Sequence, residues 1–422
     1  MRALSETVVR ALEDGELDRV WGLLEPHAAS LGDDPELALA WLRALEHAPS
    51  RPTLQDEVRR AVGGGEDPRR VVAACAALNA AAQLRPLDLP PLPEGPAAQA
   101  ARLAEQALAR DPSGPLAGYL WINRANALRA LGPEEDGRAQ RAYAEALARD
   151  DRGWWHFDLA VLHKWRGRWE ASLQASLAAR ERLGAVRPVC WNIALAATAL
   201  GDGGRALEAW RALGFDPRLG EGSGLPFVEG IPPFQVRVPS RPSGFGLGEP
   251  EGEQFELVWV QPISPCHGVL ASPTFGDAPV DYGDVVLWDG APVLFDPPCF
   301  PLLEILRRGD ERRLRFLALA SAGEVEEVAG ALGELGVQAF AHPRGRAIEG
   351  QQLIVGKLVA AATLDLSELR RRFEAALDAA DGARWAVPDL YELCGDTKRA
   401  GREHQRWRGL ARAAVKRGFL EP

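Results

Sequence analysis

A thiol beside an imidazole is the chain's first offer of chemistry. Cys266 and His267 are adjacent in Ser-Pro-Cys-His-Gly (264–268), with Asp277, Asp281 and Asp284 downstream. A cysteine nucleophile needs a base within hydrogen-bond reach and a third group that orients the base. Direct adjacency works against that, because neighbouring side chains on an extended strand point to opposite faces. Only a bend at the prolines would bring sulfur and ring together. A buried structural thiol, with a histidine bonded to backbone, is the simpler account. A metal would need more His or Cys at ligand spacing, and Cys299, His342, Cys394 and His404 are too dispersed to supply it. No GxxxxGK[ST], GxGxxG after a strand, HExxH or GxSxG occurs. GFGLG (244–248) has too few glycines at the right steps, and no helix follows it. Asp281-Tyr-Gly-Asp284 and Asp289-Gly290 read as turn residues, and DPPCFP (296–301) as a rigid loop. The expectation is no catalytic residue, no metal and no cofactor, with Cys266 and His267 as the enzyme alternative.

A second feature is electrostatic. DTKRAGREHQRWRGLARAAVKRGF (396–419) reads as a helix with Lys or Arg at 398, 399, 402, 406, 408, 412, 416 and 417. Such a segment fits an acidic partner or a phosphate backbone, or is simply a solvated helix. The whole chain has a net charge of −10, which disfavours a general nucleic-acid binder, since counterion release needs a dense cationic face. The basic residues are nearly all Arg, with Lys only at 164, 357, 398 and 416, a compositional bias.

The elements that must position these groups follow from length and pattern. At 422 residues the chain exceeds one ordinary core, so several domains are expected. Hydrophobic residues at 46% and charged residues at 26% are ordinary globular proportions. Five scattered cysteines without a CxxC pair do not make a disulfide framework and point to a reducing compartment. No apolar signal core opens the chain and no run of about 20 apolar residues occurs. The expectation is a cytoplasmic protein with no membrane span.

Residues 1–217 are rich in Ala, Leu, Arg and Glu, good helix formers, with apolar residues at three- and four-residue steps. Breaks fall at Gly and Pro, and RPLDLPPLPEGP (85–96) reads as an extended connector. Gly132, Gly167 and Gly201 each follow an apolar helical stretch, 35 and 34 residues apart. After Gly201 come Ala206, Trp210 and Pro217; Ala139 and Tyr143 repeat the small-to-aromatic step. The small residue lets two helices approach, and the large one fills the gap between hairpins. This half resembles the tetratricopeptide repeat family, whose period is ~34 residues. The clearest repeats cover 119–217; residues 1–112 fit as degenerate ones. His156 and Cys190 stand where the family often has Trp, and Ser172 and Ser176 replace the small and large pair.

The resemblance implies stacked hairpins with a concave surface lined by first helices. In that register the groove-facing residues are Tyr119, Asn126, Arg129, Trp154, Val161, Lys164, Trp165 and Trp191. Aromatics beside cations suit a peptide or helix of a partner protein, although large aromatics also serve packing between repeats. Asn126 and Asn192 fit the family members that clamp a terminal carboxylate, but Ile122 and Pro188 occupy positions where cations are expected.

Past residue 217 the pattern changes. Residues 218–254 are Gly/Pro-rich and read as a linker. Residues 255–310 read as a β-meander: FELVWVQPI (255–263), GVLASPTF (268–275), and a hairpin VVLW-DG-APVLF (285–295) turning at Asp289-Gly290. Residues 311–395 give βαββαβ, the ferredoxin-like order, and 396–422 the basic helix. The fold class expected is multidomain: an N-terminal all-α tetratricopeptide-like solenoid, then a C-terminal α+β region. The function expected is a protein-interaction scaffold. The alternatives are a Cys/His enzyme recruited by the repeats, or a regulator using the basic helix.

Overall fold

In the computed structural model the described residues are 95–240, 254–380 and 384–419, except 277, 293, 296 and 297, preceded by 16–27, 68–83 and positions 4, 7, 8, 10 and 11. GFGLG, Asp277 and all but the last two residues of the 85–96 connector lie outside them. The chain divides into two compact units, Met1–Leu200 with Glu208–Phe215, and Gly201–Leu207 with Asp216–Pro422.

The first unit is helical: α1 (Leu17–Leu24), α2 (Pro68–Gln83), α3 (Pro96–Arg110), α4 (Ala117–Leu131), α5 (Asp136–Arg149), α6 (Gly153–Lys164), α7 (Trp169–Leu183) and α8 (Arg187–Ala199), with α9 (Gly203–Ala212) straddling the division. Consecutive helices pack as hairpins, α4 on α5 and α6 on α7. Small residues permit this: Ala125, Ala139, Ala160 and Ala194 are wholly buried, and the Ser172 hydroxyl donates to the Ala160 carbonyl across its hairpin at 3.0 Å. Tyr143 and Trp210, one turn after Ala139 and Ala206, are also wholly buried. Gly167 and Gly201 take left-handed φ of 63° and 74° at helix ends, where a side chain would be strained.

The second unit contains two large sheets and a two-stranded one. Strands β3 (Phe234–Ser240), β4 (Gln254–Pro262), β5 (His267–Leu270), β6 (Val285–Trp288) and β8 (Pro298–Arg307) pair in that order, and a parallel β8–β3 pairing closes the ring into a small barrel. Short strands β1 (Arg218–Leu219) and β2 (Pro226–Phe227) pair with each other, and β7 (Leu294–Phe295) pairs with β8. Alternation fills the barrel: Val236, Val238, Val258, Val260 and Val286 point inward around Trp288, while Phe255, Leu257 and Trp259 lie on the exposed outer face.

The other sheet runs β10 (Gln338–Ile348), β11 (Gln351–Ala360), β9 (Arg312–Ala320), β12 (Arg384–Ala386), every pairing antiparallel. Helices α10 (Ala322–Gly333), α11 (Leu366–Ala379) and α12 (Pro388–Leu393) cover one face, packing on Leu314, Phe316, Ala318 and Leu358. The long helix α13 (Thr397–Lys416) lays Leu410 and Ala414 on the other, against Leu317, Leu319, Leu353 and Val355. Burial on both faces explains the unbroken apolar run at 316–320. Caps match the sequence: Ser321 and Glu324 form a capping box on α10, and Asp365 and Asp396 accept the first backbone N–H groups of α11 and α13. In β11, Gly356 lies under the Phe316 ring; a Cβ there would sit 2.0 Å from a ring carbon.

Three expectations change. The 218–254 linker holds β3, a full member of the barrel, because Phe234-Gln-Val-Arg-Val alternates like any half-buried strand. Among the described residues, VVLW and APVLF do not pair with each other. Both β6 and β7 pair with β8, and the Asp289 side chain accepts from Ala291 N in a local turn. Within DPPCFP, Asp296 and Pro297 lie outside the described residues, and Pro298–Pro301 open a ten-residue strand rather than continue a loop; register shifts in the β6–β8 pairing mark where it departs from a regular ladder.

Candidate functional site

Within the first unit, α4, α6 and α8 are the first helices of successive hairpins, and each contacts the next. On α6, Trp154, Asp158, Val161 and Trp165 follow at four-, three- and four-residue steps, so they share one helix face. Trp154, Asp158 and Val161 are half-buried, and Trp165, the residue closing α6, is 42% exposed. The opposite positions, Trp155, Ala160 and Leu162, are in the core.

The eight groove residues named from the sequence divide into two groups. Some brace neighbouring helices. Asn126 donates to Asp158 Oδ2 at 3.1 Å and accepts from the Tyr143 hydroxyl at 2.6 Å. Arg129 donates to the Asp158 carbonyl. Lys164 is buried and donates to Asn192 Oδ1 at 3.3 Å, joining α6 to α8. Tyr119 packs edge-on against Trp155, with Arg152 over its ring. Trp191 stands edge-on to the buried Trp210, ring centres 4.9 Å apart. The others face outward: Trp154, edge-on to Phe157, Val161, and Trp165, whose ring centre lies 5.7 Å from the Lys164 ammonium. Sequence reading missed Asp158, although its spacing from Trp154 and Val161 places it on the same face. It also missed Asp136, a buried carboxylate that takes Arg166 at 3.0 Å and Arg168 as well.

In the second unit, Cys266 ends the turn after β4 and His267 opens β5, both buried. The prolines do bend the segment, but the group brought to the imidazole is the Ser264 hydroxyl, 2.6 Å from His267 Nδ1. That hydroxyl also accepts from Cys266 N and lies 3.7 Å from Cys266 Sγ. Burial pushes His267 down to about 4, so the ring is neutral near pH 7. Asp281 and Asp284 are engaged elsewhere. Asp281 pairs with Lys357 of β11, and Asp284 with Arg308 and Arg313. Among the described residues no three His, Cys, Asp or Glu side chains converge as metal ligands would, and Cys299, His342, Cys394 and His404 stay apart. None of the helices described is long and apolar enough to cross a membrane.

Comparison with known proteins adds little to this geometry. No protein-family model matches the chain, and no curated protein matches it. Among solved structures, a thermophilic TPR protein of Thermus thermophilus aligns at 18% identity and a TM-score of 0.33, covering 50% of this chain and 98% of that one. A likeness of that size carries no argument about this chain's role.

Proposed function

We propose that this protein is an interaction scaffold whose N-terminal hairpins form a tetratricopeptide-type array and hold a peptide or helix of a partner protein along α4, α6 and α8. The observation that carries the reading is Trp165. It is a large aromatic 42% exposed, on the same helix face as Trp154 and Val161 and beside the Lys164 ammonium. Interface energy concentrates in such aromatic anchors. The rest of the face is stiffened by the Asn126–Asp158 and Lys164–Asn192 bonds, so a partner meets a surface that needs little reordering. The βαββαβ segment, with strand order β10-β11-β9-β12, is read as a ferredoxin-like module and assigned to a second recognition or self-association role.

The test is site-specific photo-crosslinking in native lysate with the full chain. A crosslinker at Val161 is expected to capture a partner that one at Glu145, exposed on α5, does not. Trp165→Ala should reduce that capture about tenfold or more, as loss of an anchor does, while Trp165→Phe retains most of it. Equal capture from both positions, or capture indifferent to Trp165→Ala, overturns the proposal.

A further inference from the structure

The helix α13 carries Lys398, Arg399, Arg402, Arg406, Arg408, Arg412 and Lys416 against the single acid Glu403. That is a surplus of six positive charges in a chain whose net charge is −10. The structure sorts them by face. Glu403 is buried and takes Arg399 at 3.2 Å and Arg406 at 3.0 Å. Lys398, Arg402, Arg408, Arg412 and Lys416 are exposed, and none of the five forms a salt bridge among the described residues. At about 100° per residue, Lys398, Arg402, Arg412 and Lys416 fall within an arc of roughly 80°, with Arg408 about 40° beyond its edge. The stripe is about 27 Å long at 1.5 Å per residue. Its sign is set by the helix itself, whatever the charge of the rest of the chain.

We infer that this stripe binds the phosphate backbone of a nucleic-acid duplex without reading its sequence. Three observations favour that occupant over other polyanions. First, the apolar side of the helix, Leu410 and Ala414, is spent against the sheet, so the helix has no apolar face to place in a lipid interface. Second, the stripe carries no aromatic residue. Trp407 points to the opposite side and packs against the sheet cluster. Protein interfaces depend on such anchors, and single strands stack on them; a duplex backbone requires neither. Third, three of the five cations are arginines, whose planar fork matches phosphate oxygens. Gly401 and Gly409 lie on the same side, with open space where a Cβ would project, so a backbone can approach closely.

The experiment is fluorescence anisotropy of a labelled 24-base-pair duplex of arbitrary sequence with the full chain, from 50 to 200 mM KCl. Four to five phosphate contacts give a slope of log K against log salt near −4, a loss of about 250-fold over that range. The variant is Arg402→Gln, Arg408→Gln, Arg412→Gln together. All three side chains are exposed and without salt bridges, so the melting temperature should hold. The variant should lose at least about thirtyfold in affinity at 50 mM, and its slope should fall toward −1 to −2. An unrelated duplex should bind equally. Absence of duplex binding at 50 mM, or binding the triple variant retains, overturns the inference. So does binding of poly-glutamate or phosphatidylserine vesicles without binding of the duplex.

Discussion

Removing the Asp284 carboxylate should loosen the second unit more than any surface charge would. The residue is fully buried, and each carboxylate oxygen serves two donors. Oδ1 accepts from Gly309 N at 2.8 Å and Arg313 at 3.2 Å; Oδ2 accepts from Asp281 N at 3.1 Å and Arg308 at 2.9 Å. Asp284→Ala strands two backbone N–H groups, each costing about 1–3 kcal/mol when left unpaired. Arg308, with 61% of its side chain exposed, recovers water and adds little. Arg313 keeps the Tyr282 and Gly309 carbonyls, so its loss is partial. The sum is about 3–5 kcal/mol, the range for breaking a buried charged pair. Asp284→Asn tests the reasoning more sharply. It preserves volume, yet either orientation turns an amide NH2 toward one backbone N–H and one guanidinium, donor against donors. The asparagine should therefore cost at least about 3 kcal/mol, close to the alanine. The assay is urea-dependent hydrogen exchange on peptides covering β9 and β11, which Arg313 and the Lys357–Asp281 pair tie to this loop. A loss below about 1 kcal/mol for Asp284→Asn refutes the account.

Two further outcomes follow from the buried turn at 264–267 and from the thiols. His267 has a folded value near 4 against an ordinary 6.5. Above pH 6.5 the ring is neutral in both states. As pH falls toward 4 the unfolded chain takes up a proton that the folded chain refuses, so stability drops across that window. The wild-type advantage over His267→Gln should shrink by about 2–3 kcal/mol between pH 7 and 4.5 in urea melts, and an advantage constant with pH contradicts the burial argument. All five cysteines are free. Burial pushes Cys75 up to about 12 and raises Cys190, Cys299 and Cys394 as well, while Cys266 is fully enclosed. Native protein at pH 8 should show no thiol reacting as fast as free cysteine, and denatured protein should show five. A fast native thiol mapped to Cys266 would favour the enzyme alternative.

The legible parts of the fold were those where one physical rule acts alone. Gly167 and Gly201 mark helix ends because only glycine takes that backbone cheaply, and their spacing is therefore visible in the residues. The barrel was harder because closure is not local. β3 pairs with β8 across some sixty residues of intervening chain, so a seven-residue strand amid Gly and Pro looked like part of a connector. Asp289-Gly290 suggested a hairpin turn for the same reason. The dipeptide permits one, but the partner strand is chosen by packing around Trp288, and β8 rather than 291–295 fills that place.

The candidate surface raises a different question, one that bears on how a partner would be held. A repeat register assigns positions to the inner face but is silent on which of them neighbouring hairpins already use. Asn126 and Lys164, assigned to that side, are taken up by Asp158 of α6 and Asn192 of α8. Trp191 is taken up by Trp210. A polar residue so engaged is a poor anchor, because binding through it must first break the brace and leave a half-buried partner unpaired. The outward face that remains is narrower: Trp154, Val161 and Trp165, on one side of α6. If the scaffold reading holds, alanine at Asn126 or Lys164 should act through the stability of the array, lowering the melting temperature along with capture. Trp165→Ala should lower capture alone. That separation, read from one set of variants, distinguishes residues that hold the hairpins to one another from residues that hold a partner.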